Sequence, residues 1–329
     1  MSTVPTRVAV EKAVELAGHA PSLHNSQPWR WTFDGAVLRL FGVHERMLPA
    51  TDITGRQLVI SCGIVLDHLR AAMAAQGWRT LVATFPDPND HAHLADVRFT
   101  PSRYVTDGDR DRAAAITRRY TDRLPFGEPR DWAQFQSVLS AVVAAEDVIV
   151  DVLPGSRRAE LARASALSAS LRRYDADYHA ELHWWTGHVV ADAGVPRQAL
   201  VTEDEHQRVD VGRRMPVVTG EARRPELPTD RSEILVLSSA GDTAEDWLDC
   251  GQVLSAVLLE CTLAGYATCP LSHLTELPRS RAVVTRLVGR NVFAQVLVRV
   301  GTPPDAQVRP EPTPRLPLTD ILQVTGDAG

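Results

Sequence analysis

The chain predicts a mixed fold of helices and strands that contains a duplicated unit, and three observations carry that expectation. Apolar residues recur at helical spacing in some stretches and alternate in others. A twenty-residue segment returns later in the chain at a fixed offset, 249 − 61 = 188. The 329 residues are 44% hydrophobic and 23% charged, ordinary proportions for a globular protein with the length of one large domain or two smaller ones.

From the N-terminus, Val10, Ala13, Val14 and Ala17 follow helical spacing, so a helix is expected over 8–18, with Gly18 near its end. "WRWTF" and "AVLRLFG", separated by Asp34-Gly35, read as a hairpin with a type I′ turn. Trp29 and Trp31 begin its first strand and are expected in the core. Residues 56–76 read as a long helix stopped by Gly77, and "WRTLVATF" as the strand that follows. Further on come a helix near 131–143, the strand "DVIVDVL", helices across 156–185, the strands "EILVLSSA" and "NVFAQVLVRVG", and between these two a second long helix. Residues 188–230 carry prolines and charges with little periodicity, as a functional lid or a disordered loop does.

The repeat pairs "SCGIVLDHLRAAMAAQGWRT" (61–80) with "DCGQVLSAVLLECTLAGYAT" (249–268) without gaps. Cys62/Cys250, Gly63/Gly251, Val65/Val253, Leu66/Leu254, Gly77/Gly265 and Thr80/Thr268 are identical pairs. Both copies sit on a helix, a glycine stop and a strand. Duplication explains this; a chance match of two glycine-stopped helices is the alternative.

A net charge of −6 lacks the basic footprint that a phosphate backbone requires, so nucleic acid is not an expected partner. Lys12 is the single lysine and follows no glycine-rich loop, which excludes a Walker A lysine. Cys62, Cys250, Cys261 and Cys269 show no metal or disulfide spacing, the N-terminus lacks a signal-peptide layout, and no apolar run is long enough to span a membrane. A cytoplasmic protein is expected. His179 and His183 lie four apart, but Glu181 is out of register for a zinc-protease motif.

Four stretches are candidates for a site. "HAPSLHNSQPWRW" (19–31) concentrates Pro21, Ser22, His24, Asn25 and Gln27 between helix and strand, either to hold a flat polar ligand or as a well-capped turn. "RRYTDR" (118–123) places Arg119, Thr121 and Arg123 where guanidinium forks and a hydroxyl can grip a phosphate. "TCPLSHLTE" sets Pro270, Leu271 and Ser272 after the repeated helix, where exposed backbone N–H groups could face a ligand. "PTPRLP" stiffens Arg315 as a second anion contact. Singly, each of the last three also reads as a surface cluster or turn.

"APSLHNSQPW", "RRYTDRLPF", "GYATCPLSHLTE" and "PRLPLTDIL" resemble the nitroreductase-like FMN proteins, and within them the mycobacterial Acg family, over nearly the whole chain. The resemblance implies an α+β nitroreductase-like fold. In the superfamily one subunit of a homodimer supplies an R-x-S-x-K/R phosphate grip, a proline turn and a C-terminal basic residue. The other supplies the P-S-x-x-N loop. Here Arg119, Thr121, Arg123, Pro270 to Ser272 and Arg315 fall in the second half, and Pro21, Ser22, His24, Asn25 and Gln27 in the first. The expectation is therefore a fused pseudo-dimer, halves 1–108 and 109–329, with one FMN site and no partner subunit needed to complete it.

The resemblance further implies NAD(P)H-dependent reduction of a small acceptor, the flavin rather than a side chain carrying the chemistry. Ser22, Asn25 and Gln27 would meet the isoalloxazine edge, and 188–230 would be a lid. The alternative is a non-catalytic protein that stores FMN under the lid. The family's lysine near the flavin pyrimidine has no counterpart, so an arginine must replace it or that charge is missing.

Overall fold

The computed structural model describes residues 4–144, 146–187, 193–305 and 311–325. Helix α1 (Arg7–Ala17) starts at Thr6, whose hydroxyl accepts from the Ala9 N–H, and it buries Val10, Ala13, Val14 and Ala17, the predicted face. Strands β1 (Trp29–Phe33) and β2 (Leu38–Gly42) form the expected hairpin, with Trp29 and Trp31 fully buried. Its turn departs from type I′. The loop between the strands is 34–37 rather than two residues, only Gly35 in it takes a positive φ (+91°), and the Asp34 carboxylate accepts from the N–H groups of Ala36 and Val37.

Helix α2 (Arg56–Ala74) leads to β3 (Trp78–Thr84) and β4 (His93–Pro101). The last strand, β9 (Leu322–Val324), returns to pair parallel with β1, giving a sheet ordered β3-β4-β2-β1-β9. Residues at the end of the chain thus complete the first sheet. β4 buries Ala95, Val97 and Phe99 in alternation, and its pairing with β2 shifts register at Leu40/Phe41.

After α3 (Asp107–Arg118) and α4 (Trp132–Val143), β5 (Val148–Val152) opens the second sheet. The stretch expected as helices across 156–185 is α5 (Arg158–Leu171) and α6 (Ala176–Gly187). A short α7 (Glu203–Gln207) lies in the otherwise irregular segment that runs on to β6 (Glu233–Ser239); residues 188–192 of the expected lid lie outside the described residues. Then come α8 (Ala244–Leu263), β7 (Ala267–Leu271), α9 (His273–Glu276), α10 (Pro278–Val288), β8 (Phe293–Gly301) and the single turn α11 (Leu318–Ile321). The second sheet is ordered β5-β6-β8-β7.

The two copies of the repeat, α2 and α8, pack on each other at the centre, and one apolar core runs from the first sheet through both helices into the second. Their contact is reciprocal. A Cβ on Gly63 would lie 2.1 Å from the Leu248 carbonyl, and one on Gly251 would lie 2.1 Å from the Ile60 carbonyl, the equivalent position. Only glycine allows backbones this close. Asp67 and Ser255, again 255 − 67 = 188 apart, hydrogen-bond to each other at 2.5 Å. The glycine stops match too, with φ of +82° at Gly77 and +80° at Gly265. Among the described residues α2 is the one helix long and apolar enough to cross a membrane, and 83% of that apolar stretch is buried inside the fold.

Candidate functional site

The loop between α1 and β1 folds into a tight turn in which His24, Asn25 and Gln27 take positive φ, +49°, +60° and +49°. Non-glycine residues resist this region by about 1–2 kcal/mol each, asparagine least, so surrounding bonds must hold them there. The Ser22 hydroxyl accepts from Gln27 N–H at 2.8 Å, and Arg46 donates to the Gln27 carbonyl at 3.2 Å. Asn25 Nδ2 donates to the carbonyls of Gly194 and Pro314, both at 3.1 Å, and Gln27 Oε1 accepts from Leu316 N–H at 2.9 Å. The amides therefore tie the loop to the irregular segment and to the tail.

This corrects the expectation for Gln27. Its side chain is 1% exposed and lines neither of the two chambers beside the loop. The other predicted residues do line them. Pro21, Ser22, His24, Thr121 and Arg123 face both an inner chamber of ≈ 120 Å³ and an outer one of ≈ 450 Å³. Pro270, Leu271 and Ser272 face the inner chamber; Asn25, Arg119 and Arg315 face the outer one.

The Pro270 stretch also differs in form. It is not an open turn but strand β7, paired antiparallel with β8 and bridged on its other side by Thr121, with Cys269 and Leu271 buried. Proline is tolerated because its missing N–H lies on the sheet's edge. Ser272 is engaged, donating to Glu276 at 2.8 Å and accepting from Arg213 at 3.0 Å.

The outer chamber is cationic: Arg118, Arg119, Arg123 and Arg315 line it against one carboxylate, that of the exposed Glu311. Arg119 is 7% exposed; its Nε and one Nη have no partner, and burial, then the nearby Arg315, pushes its guanidinium down to about 9. Burial also lowers Arg315 to about 10, and its bonds run only to carbonyls, those of Thr313 and Pro314 at 3.0 Å and His19 at 3.1 Å. Arg123 donates to the Ala199 carbonyl at 3.4 Å, and burial lowers it as well. None of the three has a carboxylate partner among the described residues. Buried charge left unpaired is costly, so an anion that enters gains what the fold has left unspent.

The inner chamber holds neutral groups without partners. Both ring nitrogens of buried His24 are unbonded, and burial, aided by Arg213 and Arg123, holds the ring well below its ordinary pKa. His273 contacts Ser165 Oγ at 2.9 Å. That hydroxyl gives its own proton to the Gly212 carbonyl, so His273 Nε2 is the donor and its unpartnered Nδ1 an acceptor. Gln57 Nε2, on α2, is an unpartnered donor. The irregular segment roofs the chamber with Val201, Val209 and Met215, and Arg213 lines it while paired with Glu276.

No family model matches the chain. Curated relatives do. The acg protein of Mycobacterium tuberculosis (strain H37Rv), provisionally named an NAD(P)H nitroreductase, is 49% identical over 322 residues, 98% of this chain and 97% of its own length. The chain belongs to the Acg family of nitroreductase-like proteins. A second relative from the same strain, Rv3131, also provisionally named an NAD(P)H nitroreductase, is 33% identical over 97% of this chain and 92% of its own. Among solved structures, the FMN-dependent nitroreductase NfnB of Mycobacterium smegmatis, in complex with NADPH, matches loosely, at 16% identity and a TM-score of 0.43, over 66% of this chain and 98% of its own.

Sequence reasoning missed Gln57, Arg213 and His273. Gln57 is hidden in a helix that reads as core, and Arg213 is one of many arginines in an aperiodic stretch. His273 stands inside a quoted motif, "LSHLTE", but nothing local marks its free Nδ1.

Proposed function

We propose that this protein binds one FMN across the two chambers and works as an NAD(P)H-dependent reductase of a small acceptor, as the names of its Acg-family relatives suggest. One observation carries the reading: buried Arg119 and half-buried Arg315, with no ion pair among the described residues, lie beside a chamber where both ring nitrogens of His24, Gln57 Nε2 and His273 Nδ1 lack partners. A cationic end joined to a neutral hydrogen-bonding end fits a phosphate-bearing ring. Arg119, Thr121, Arg123 and Arg315 would hold the phosphate. Gln57 Nε2 as donor and His273 Nδ1 as acceptor would meet the alternating edge of the ring, with Pro21, Ser22 and Pro270 packed against it.

Bound FMN supplies hydride chemistry that no side chain here provides. The chain's own work is to orient and to exclude water. Arg123, which has no carboxylate partner, puts positive charge in the inner chamber in place of the superfamily's lysine, while the charge of Arg213 is spent on Glu276. The roof of Val201, Val209 and Met215 keeps water out and must move for a nicotinamide to reach the ring, so segment 193–230 acts as a lid.

The reciprocal contacts of Gly63 with Gly251 and of Asp67 with Ser255 support a fused pseudo-dimer. In a two-fold interface equivalent residues meet each other, and here equivalence is the 188-residue offset. The halves are 1–108 and 109–329, with the tail reaching back to the first sheet, and the site forms in a single cytoplasmic chain.

The test is the absorbance spectrum of the purified protein, then addition of NADPH without oxygen. Yellow protein that bleaches is the expected result. Yellow protein that does not bleach makes it a flavin store, and protein that cannot be loaded with FMN ends both readings.

A further inference from the structure

Away from the two chambers, an open groove of ≈ 850 Å³ runs between the start of α2, helix α10 and the start of β8. Arg56, Arg281, Arg286, Arg290, Trp247 and Phe293 line it. Arg56 is the anomaly. It is 7% exposed and has no ion pair among the described residues; it donates from one Nη to the Thr275 carbonyl, and its Nε has no partner. Burial, then repulsion from Arg281, pushes its guanidinium down to about 10.

Asp242, Asp52 and Glu276 offset this only in part, and the carboxylates of the groove form their own bonds elsewhere. Asp242 accepts from both Nη atoms of Arg281, at 2.6 and 2.8 Å, and from Trp247 Nε1 at 2.8 Å. Glu276 is held by Arg213 and Ser272. At the same end begins α10, eleven residues long, with Pro278 in its first turn and no side chain capping its N-terminus. Uncapped N–H groups and the helix dipole add positive potential there. Toward the other end the exposed Arg286 and Arg290 reach Glu160 and Asp151 only at 3.6 and 3.3 Å, and Phe293, 44% exposed, has the Arg281 guanidinium 5.7 Å from its ring centroid. Exposed pairs of this kind contribute at most about 1 kcal/mol and are easily redirected.

We propose that this groove is a second ligand site, which takes a nucleoside phosphate. The phosphate sits at Arg56 and the start of α10, since Arg281 is fully engaged by Asp242, Gln295 and the Ala294 carbonyl, and the base lies against the exposed part of Phe293 with Arg290 beside it. Aromatic rings and guanidinium planes both stack on a base without selecting its sequence. The α10 C-terminus, with its free carbonyls, faces the base end and repels an anion, which sets the direction. The site adjoins the first one: Arg56 lines the groove while Gln57 lines the inner chamber, and Glu276 lines the groove while it holds Arg213 of that chamber. The proposal does not depend on the flavin reading.

Calorimetric titration of ADP into the full chain tests it, with FMN present at saturation and again with the Arg119→Ala variant. Binding of one ADP per chain is expected, unchanged by Arg119→Ala and weakened about tenfold or more by Arg56→Gln, the loss expected for one charge-assisted phosphate contact. Phe293→Ala should weaken ADP several-fold without affecting inorganic phosphate. Thermal melting shows whether Arg56→Gln folds; if it does not, Phe293→Ala decides. No binding of ADP at millimolar concentration overturns the proposal. So does binding lost in Arg119→Ala, which places ADP in the outer chamber, or ADP binding that Phe293→Ala leaves unchanged.

Discussion

Two of the regions where this protein buries arginines treat them oppositely. Beneath the roof segment, Arg224 meets Asp122, Arg299 meets Asp230, and both guanidiniums also donate to backbone carbonyls, of Pro125 at 2.7 Å and Leu124 at 2.6 Å. In the outer chamber, Arg119 is 7% exposed and Arg315 half-buried, and neither pairs with a carboxylate among the described residues. The first set is architecture: it anchors an irregular segment to the second sheet. The second set is a deficit that folding alone does not explain. A paired buried charge marks what holds the chain together, and an unpaired one marks where something else binds.

Breaking the paired set should cost most. Arg224→Ala leaves the Asp122 carboxylate, 2% exposed, buried without its partner, and about 3–5 kcal/mol of stability should be lost. Chemical denaturation measures this, and a loss under about 1 kcal/mol would mean that the pair is not an anchor. Arg119→Ala should behave in the reverse manner. The unliganded protein should melt at the same temperature or higher, since an uncompensated buried charge is removed, while FMN binding falls by about 1.5–3 kcal/mol. Riboflavin, which lacks the phosphate, is the control; equal losses for both ligands would refute the phosphate assignment.

His24 extends the comparison to neutral groups. Its folded pKa lies well below the ordinary 6.5, so the unfolded chain takes up a proton that the folded one refuses. Stability from this group is therefore complete above pH 6.5 and is lost as pH falls from there toward the folded pKa, by up to about 1.4 kcal/mol per pH unit. His24→Asn, which tolerates positive φ, should flatten the profile of unfolding free energy by that slope between pH 6.5 and 5. An unchanged slope would show that the ring is not buried neutral. The smallest effect belongs to Arg7–Glu11, paired but 55% and 27% exposed: Glu11→Gln should change stability by under about 0.5 kcal/mol, which shows that burial rather than pairing sets the scale.

Much of the candidate site was legible because its markers are local. Pro21 to Asn25, Arg119, Thr121, Arg123 and Arg315 stand in short polar segments, and all of them line the chambers. Gln27 misled for a local reason too: an amide beside a ligand loop looks the same whether it faces the ligand or, as here, the Leu316 N–H of the tail. The repeat was legible because a glycine at a close helix crossing and a glycine that stops a helix are both hard to replace.

The sequence by itself determined the helix and strand periods, the 188-residue repeat and the segments from which a site is built, since each depends on residues near one another in the chain. Tertiary structure alone decided which charges are satisfied. Arg224 finds Asp122 across 102 residues, while Arg119, only three positions before Asp122, finds no carboxylate among the described residues. Pairing is settled by where side chains end up in the packed molecule, so the contrast between anchor and ligand site exists only in the folded chain.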